Sequence, residues 1–570
     1  MKIILYSFAL LMFFSKSFAS NQNNPAFVNT GNSDFENDIR FQDIPPTTSL
    51  VYPGTDGKLV YVADSLGNKI PDFSNAGYKG GGVPIPYVAN KETVWPVLGD
   101  NSANIQAAID RVSALPLDAS GFRGAVLLKM GMYELEKPIN IKASGVILRG
   151  EGNSDIGTIL IGKVPKERQA GMSRGALVTV SGASGLIPQE ETKQIITDKY
   201  VPVGAYSFNV VSAKAFKPGD KVILRRIGNN DWIKEIGEDS VAAGRSRWRP
   251  FNITYDRVIT GVKGNTITID APIFCAIETP WGGGEILKCD DQGRLEQVGV
   301  ENLRGISEYN PAVRMTSYGN MDRGNFDDKT RQHYEGDEYY SDENHYFNFI
   351  VFTNAKNGWV RNISALHFGS SVVNAGNGTK WITVQDCESR EPVSIRAGAR
   401  RFTYMTTGQL SLVQRCFSQK GRHNFVMGGS GSTSSGNVFL DCQAVNAFST
   451  SEPHASWITG GLYDNIKAPL SARYWKDISI GWAGANIVFW NCEGDYVTQS
   501  PPTAKNYSFG HIGINAVIFN TFFQDYTKPR GHIESMDTHV TPRSLYLTQL
   551  RERLGDGAVK NITKEVQTKD

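Results

Sequence analysis

The sequence predicts an all-β solenoid closed at its start by a helix. Two observations carry that expectation. Short strand-like segments recur with a near-constant step through the second half, and one amphipathic helical segment stands directly before the first strand-like runs. The recurring segments are WVRNISA (359–365), WITVQDCES (381–389), LSLVQRCFS (410–418), NVFLDCQA (437–444), IVFWNCEG (487–494) and VIFNTFF (517–523). Each joins a β-branched or aromatic run to Asn, Asp or Arg and then to Cys or another small or apolar residue. Cys387, Cys416 and Cys442 are 29 and 26 positions apart, and Cys492 follows after 50, close to two such steps. A period of this size marks stacked coils.

Taken in order, the chain opens with Lys2, an apolar run from Ile3 to Phe14, and Ser17-Phe18-Ala19. That pattern predicts a signal peptide at 1–19, cut after Ala19, and a secreted or periplasmic location. No later apolar run is long enough to span a bilayer. Residues 20–95, full of Asn, Pro and Gly, form an extension without an assignable fold. DNSANIQAAIDRVSALP (100–116) reads as a helix with Ile105, Ala108, Ile109 and Val112 on one buried face and Asn101 or Ser102 as its cap. GAVLLKMGMYELEKPINIKASGVILRGEG (124–152) then alternates strand-like runs with Gly and Lys-Pro punctuation.

Between about 200 and 275, YSFNVVSAKAFKPGDKVILRR and RVITGVKGNTITIDAPI look like hairpins turning at Pro218-Gly219-Asp220 and Gly264-Asn265, a small β insertion. The coil resumes at VGVENLRGISEY (298–309) and runs to about 528. In the tail, 529–570, Leu545, Leu547, Leu550 and Leu554 near helical spacing before Gly555 predict a helix covering one edge of the body. Six cysteines in an exported chain raise the question of disulfides. A column of equivalent cysteines stacked about 4.8 Å apart is instead read as small hydrophobes filling a narrow interior.

The chain resembles the pectate-lyase-like, right-handed parallel β-helix proteins of secreted carbohydrate-active enzymes and phage tailspikes. The resemblance rests on Ile105-Gln106-Ala107-Ala108-Ile109-Asp110, Gly131-Met132-Tyr133, Gly145-Val146-Ile147-Leu148-Arg149-Gly150 and the Asn/Asp-Cys rungs, and covers roughly 96–528. It implies a right-handed parallel β-helix with a packed interior, catalytic groups on the outer faces and loops, and either lyase or hydrolase activity on polysaccharides.

Charge bounds the partners. The full chain has 59 basic and 57 acidic residues; loss of Lys2 and Lys16 with the leader leaves 57 of each. Such neutrality argues against nucleic acid and membrane surfaces as partners and leaves oligomeric state open. Within it, 390–425 is locally basic: Arg390, Arg396, Arg400, Arg401, Arg415, Lys420, Arg422 and His423 face one carboxylate, Glu391. That imbalance suits an acidic poly- or oligosaccharide held by charge-assisted Arg contacts. The alternative is a basic face bridged by carboxylates of neighbouring loops. His345, His367, His454, Tyr463 and Arg473 fall in adjoining coils, and Trp457, Trp475 and Trp482 offer flat faces for pyranose stacking.

For a uronate polymer, β-elimination needs a neutralised carboxylate and a base at C5. His423 or His345 is the expected base, Arg422 and Arg401 the neutralisers, and Tyr463 the acid; Arg396, Arg400, His454, Arg473, Trp457 and Trp475 are expected to bind substrate. Lyase and dehydratase outcomes share this chemistry. Hydrolysis requires two flanking carboxylates instead, for which Glu343, Glu388, Glu391, Asp441, Glu452, Asp464 and Asp477 are candidates, with Asp386 and Asp441 equally readable as ladder residues. A non-catalytic saccharide-binding coil is the third reading. The chemistry requires no cofactor. Ca²⁺ is admitted by Asp290-Asp291, Asp337-Glu338 and Asp342-Glu343, though none has a loop spacing specific for it.

Overall fold

The computed structural model describes residues 46–163, 175–240, 248–316, 338–430, 433–476, 480–515 and 525–563. The expected leader with its cut after Ala19, residues 20–45 of the extension, Asp337, Asp477 and the VIFNTFF run lie outside them. The described residues wind as a right-handed parallel β-helix with three faces. The first face runs from Asn90–Val94 through Gly124–Leu128, Val146–Gly150 and the leading halves of Leu295–Ser307 and Ala355–Leu366. It continues through Lys380–Gln385, Leu412–Gln414, Ser435–Leu440, Ile458–Asp464 and Gly484–Trp490 to His532–Glu534. The second face carries Gly131–Leu135, Thr158–Gly162, the trailing halves of the two long strands, Glu388–Arg390, Phe417–Gln419 and Gln443–Val445. The third stacks Ile139–Ile141, Ala176–Ser181, Asn348–Thr353, Val373–Ala375, Phe402–Thr406, His423–Ser430 and Pro453–Ser456.

The corner between the first and second faces explains the sequence repeat. Asn302, Asn362, Asp386, Arg415, Asp441, Asn465 and Asn491 occupy it on successive coils, all with φ between 50 and 57°. This left-handed region costs a non-glycine residue energy, least for Asn and Asp. Side chains of the column hold one another. Asn362 Nδ2 donates to Asn302 Oδ1 at 2.9 Å, and Arg415 grips Asp386 at 2.7 and 3.0 Å. Asp386 and Asp441 are thus ladder residues.

The next position points inward, where Leu303, Ile363, Cys387, Cys416, Cys442, Ile466 and Cys492 are at most 2% exposed. Ile466 fills the rung between Cys442 and Cys492, which accounts for the double step. All six cysteines are free and buried; Cys387, Cys416, Cys442 and Cys492 fill the coil interior, as the column reading requires, while Cys275 and Cys289 pack in other clusters. Further in, Tyr404 stacks on Phe425, and Phe425 packs on Phe439, each aromatic contributing about 2–3 kcal/mol by burial.

The helix Ser102–Ser113 closes the start of the coil with Ile105, Ala108, Ile109 and Val112 buried, as spacing predicts. Its cap differs from expectation. Asp100 Oδ1 accepts the Ser102 N–H at 2.9 Å, while the Asn101 amide both accepts from and donates to the Val97 backbone. Gln106 reaches the first strand of the third face: its Nε2 donates to Asn140 O and its Oε1 accepts Asn140 N–H, both at 2.9 Å.

The β insertion is wider than 200–275. Its antiparallel sheet runs Ile187–Pro188, Gly284–Asp290, Lys221–Arg226, Ile253–Lys263, Thr266–Ile269, Ser207–Asn209, because the strands before and after the predicted hairpins join it. It docks on the first face through Trp232, whose ring meets Trp457 at 5.0 Å, and through Phe274. Gly436 and Gly460 make room for Phe274, for a Cβ at either would meet its ring at 2.5 or 2.3 Å.

The tail helix, Leu545–Leu554, starts at Ser544, whose side chain accepts Leu547 N–H, and stops at Gly555. It lies on the outer side of the first face rather than at an end. Asp464 there accepts Ser544 O–H at 2.7 Å and Tyr546 N–H at 2.8 Å. The segment around Ser74–Gly80 is clamped between this helix and the coil, through Tyr546 O–H to Ala76 O and Tyr78 N–H to Thr383 Oγ1.

Two measurements test this packing. Thiol titration is expected to find no reactive cysteine in the native protein and six in denaturant, with thermal unfolding unmoved by reductant; a shift with reductant would contradict the free interior column. Burial pushes the Asp464 carboxyl up to about 7. The fold therefore favours its protonated form, whereas the unfolded chain ionises from about 4. Stability through this group falls as pH rises from about 4 to about 7. Urea unfolding at about pH 5 and about pH 8 should show a loss of roughly 2–4 kcal/mol that Asp464→Asn largely removes.

Candidate functional site

A second corner column, between the second and third faces, forms the floor of a groove. Leu366 pairs with Arg390 and Gln419 with Val445, so His367, Glu391, Lys420 and Asn446 follow as one residue per coil, with φ of 68, 48, 56 and 52°. Side chains from this column stand about 4.8 Å apart along the coil axis. Above it opens a cavity of about 490 Å³, lined by Tyr309, Arg314, Glu338–Tyr340, Pro392, Val393, Arg396, Arg401 and Phe448.

The groove is cationic and aromatic. Arg314, Arg396, Arg401 and Lys420 face Glu338 and Glu391, four positive groups against two negative among the described lining residues. Lys420 pairs with Glu391 at 2.9 Å and Arg314 with Glu338 at 3.4 Å, both at exposed positions where such pairs contribute little. The Arg396 guanidinium is sandwiched, 4.0 Å from the Tyr339 ring and 4.0 Å from Phe448, which fixes its plane. Arg401 donates to Ser394 O at 2.7 Å and Lys420 O at 3.2 Å.

His367 meets the edge of Tyr309 at 5.0 Å, and Tyr309 lies 5.2 Å from Tyr340. Burial, against the pull of Glu391, holds the His367 pKa below its ordinary 6.5. At neutral pH the imidazole is therefore a neutral base with a tyrosine beside it.

Of the residues expected from sequence, Arg396 and Arg401 line this groove. Arg400 stands outside its lining, in a two-point pair with Glu343 at 2.8 Å through each contact. Five further expectations are corrected. His345 is fully buried, its Nε2–H between Asp342 O and Val393 O at 3.0 and 2.9 Å and its Nδ1 hydrogen-bonded with Ser307 Oγ at 2.7 Å, so no nitrogen remains for substrate. Tyr463 packs inside the coil and its hydroxyl donates to Phe425 O at 3.2 Å. Trp457 and Trp475 are at most 1% exposed, as is Trp482. Trp457 seats the insertion, Trp482 Nε1–H donates to Ile236 O, and Trp475 lies beneath Arg473, 3.9 Å from its guanidinium; none is a sugar platform.

Arg390, Arg400, Arg415 and Lys420 are bridged to Glu388, Glu343, Asp386 and Glu391, so much of the basic stretch is a ladder of ion pairs. The Ca²⁺ candidates are likewise engaged, Asp291 by Lys221 and Lys356, Glu343 by Arg400, Glu338 by Arg314, and Asp342 by the Asn310 and Asn344 N–H groups. Tyr309, Tyr340 and Arg314 escaped notice because they lie outside the repeat.

His423 and Arg422 adjoin the groove, since both their N–H groups donate to Arg401 O, but they belong to a second, buried cluster with Glu452, His454 and Arg473. Arg422 donates to Gly398 O. His423 Nδ1 lies 2.6 Å from Thr450 O. Glu452 accepts His454 Nδ1–H at 2.8 Å, Thr450 O–H at 2.9 Å and Ser471 O–H at 2.6 Å. Burial works against this carboxylate, yet the hydrogen bond from His454 and the charge of Arg473 help outweigh it and hold its pKa at about 2. Burial drives His423 the other way, toward the neutral imidazole.

No protein-family model and no curated protein matches the sequence. Solved structures similar to this chain include the gp61 tailspike of Pseudomonas phage phi297, 12% identical over 73% of this chain and 67% of that one, with a TM-score of 0.32. DFA-IIIase of Arthrobacter chlorophenolicus A6, solved in complex with DFA-III, is 10% identical over 79% of this chain and 92% of its own at 0.30. The catalytic domain of a GH87 alpha-1,3-glucanase, in complex with tetrasaccharides, is 9% identical over 80% and 67% at 0.32. At such scores the likeness carries no argument about activity, and the coil stands on its own strand pairing.

If the groove takes an anionic oligosaccharide, loss of the sandwiched guanidinium in Arg396→Ala is expected to weaken its binding at least about tenfold, with the loss shrinking as salt rises. Arg415→Ala, at the other corner, is expected to leave affinity within about twofold. Titration calorimetry at two salt concentrations checks both.

Proposed function

We propose that the chain is an exported, pectate-lyase-like carbohydrate-active enzyme that acts by β-elimination on a uronic-acid-containing poly- or oligosaccharide bound in the His367 groove. The observation that carries this reading is a neutral imidazole and a tyrosine side by side on the floor and wall of a groove whose charge is net positive. Elimination needs those parts together. Arg396, Arg401 and Lys420 would hold the uronate carboxylate and take up the negative charge that develops when the C5 proton leaves. His367 would accept that proton; its electron pair forms the C4–C5 double bond as the C4–O bond breaks. The departing oxygen takes a proton from Tyr309. His367 replaces His423 and His345 as base, because both of those rings are sealed from the groove.

A leaving sugar makes the reaction a lyase and a leaving hydroxyl makes it a dehydratase, with the same residues in the same roles. Hydrolysis is the second reading, favoured by Glu338 and Glu391 both opening onto one cavity. Incubation with a panel of uronate polymers and their oligomers, read by ultraviolet absorbance and reducing ends together, separates them. Both signals are expected for a lyase and absorbance alone for a dehydratase. Reducing ends without absorbance would overturn elimination in favour of the glutamates, and binding without either signal would leave a saccharide-binding coil.

His367→Ala is expected to lower turnover about 10²–10⁴-fold while keeping substrate affinity. Because the His367 pKa lies below 6.5, kcat/KM should rise with pH through an acidic limb below that value and stay flat through neutrality. A profile still climbing above pH 7 would contradict His367 as base.

A further inference from the structure

The buried cluster behind the groove is a set of donors that elimination does not use. One ligand atom from each of His423, Glu452 and His454 lies within 4.8 Å of the others. The two imidazole rings face each other at 4.9 Å, tilted 33°. His423 Nδ1 contacts Thr450 O, and a carbonyl only accepts, so this nitrogen carries the proton. Its Nε2 therefore presents a lone pair, and among the described residues it has no hydrogen-bond partner although the ring is fully buried. A buried acceptor without a donor is costly and marks a place where something is missing. A second imidazole nitrogen held by a backbone carbonyl is the arrangement that orients histidine toward a metal.

We propose that His423 through Nε2, Glu452 and His454 form a zinc site with an open fourth position, distinct from the saccharide groove, the ion displacing to solvent the proton that His454 Nδ1 gives Glu452 in its absence. Two nitrogens and one carboxylate suit Zn²⁺, which takes three such ligands and a water or substrate atom where it acts in catalysis. They do not suit Ca²⁺, which asks for six or more oxygens. Thr450 and Ser471 hydroxyls bind the other oxygen of Glu452 and hold it in place. Phe402 and Trp475 pack beside His454 at 5.3 and 6.0 Å and dry the site, while the His454 side chain, 15% exposed, gives the ion its path in.

Arg422 and Arg473 act on the same carboxylate. Their charges oppose a bare dication, so the ion is held with an anionic fourth ligand, hydroxide or a carboxylate, that the guanidiniums also neutralise.

The full-length protein, stripped with EDTA, is titrated with ZnCl₂ in a calorimeter, and its metal content is measured after gel filtration. One equivalent of zinc is expected, undisturbed by excess Ca²⁺. Glu452→Gln and His454→Ala are each expected to weaken binding at least about tenfold, while His367→Ala in the groove leaves it unchanged. A wild-type protein that retains no zinc overturns the site, as does binding unaltered in His454→Ala. Should the variants fail to fold by circular dichroism, Co²⁺ loading of the wild type decides: strong visible bands of a four-coordinate ion support the site, and their absence overturns it.

Discussion

Every coil must turn its corners without stranding a backbone N–H or C=O inside a narrow packed core. Parallel pairing with the coils above and below satisfies the strands, and the corners are where the constraint bites. The chain meets it with single residues in the left-handed region, one per coil, at two of the corners. That solution repeats because a coil out of register would put a polar side chain into the interior column of Leu303, Ile363, Ile466 and the cysteines. Packing thus dictates that corner residues form files, and the files decide what the surface offers.

At the first corner the file is structural. Asn302 with Asn362 and Asp386 with Arg415 hold adjacent coils together, and Arg543 of the tail pairs with Asp441. At the second corner the same geometry presents His367, Glu391 and Lys420 outward with fixed spacing and little rotational freedom in the backbone beneath them. Loops on either side, bearing Tyr309, Arg314, Tyr339, Arg396 and Phe448, turn that file into a cavity. The stacking itself places His367 and Lys420, whose spacing follows from the backbone beneath them.

The files also set what was legible in the sequence. The interior column was readable because a narrow core tolerates only small or apolar residues at one rung position, and cysteine marks it. The capping helix was readable from its apolar face, and the tail helix from its leucines and its stop at Gly555. His367 was within reach of the same logic. Glu391 and Lys420 stand four positions after Cys387 and Cys416, and His367 stands four after Ile363, their equivalent one coil earlier. WVRNISA already set Ile363 at the cysteine position, but the count of four was not carried on from it to His367. Trp457 and Trp482 were misread because nothing local shows that an insertion some 200 residues earlier returns to bury them. His345 and Tyr463 were misread because polarity alone does not reveal whether backbone carbonyls already consume a side chain's hydrogen bonds.

The glutamine at position 106 bears on the open edge of the third face. Its amide lies against Asn140 as a peptide group of a preceding rung would, accepting one bond and donating another. To the opening strand of that sheet the ladder therefore looks already continued. A solenoid is by construction a template for more of itself, and here one side chain counterfeits the missing backbone at Asn140 and takes up the groups another strand would use.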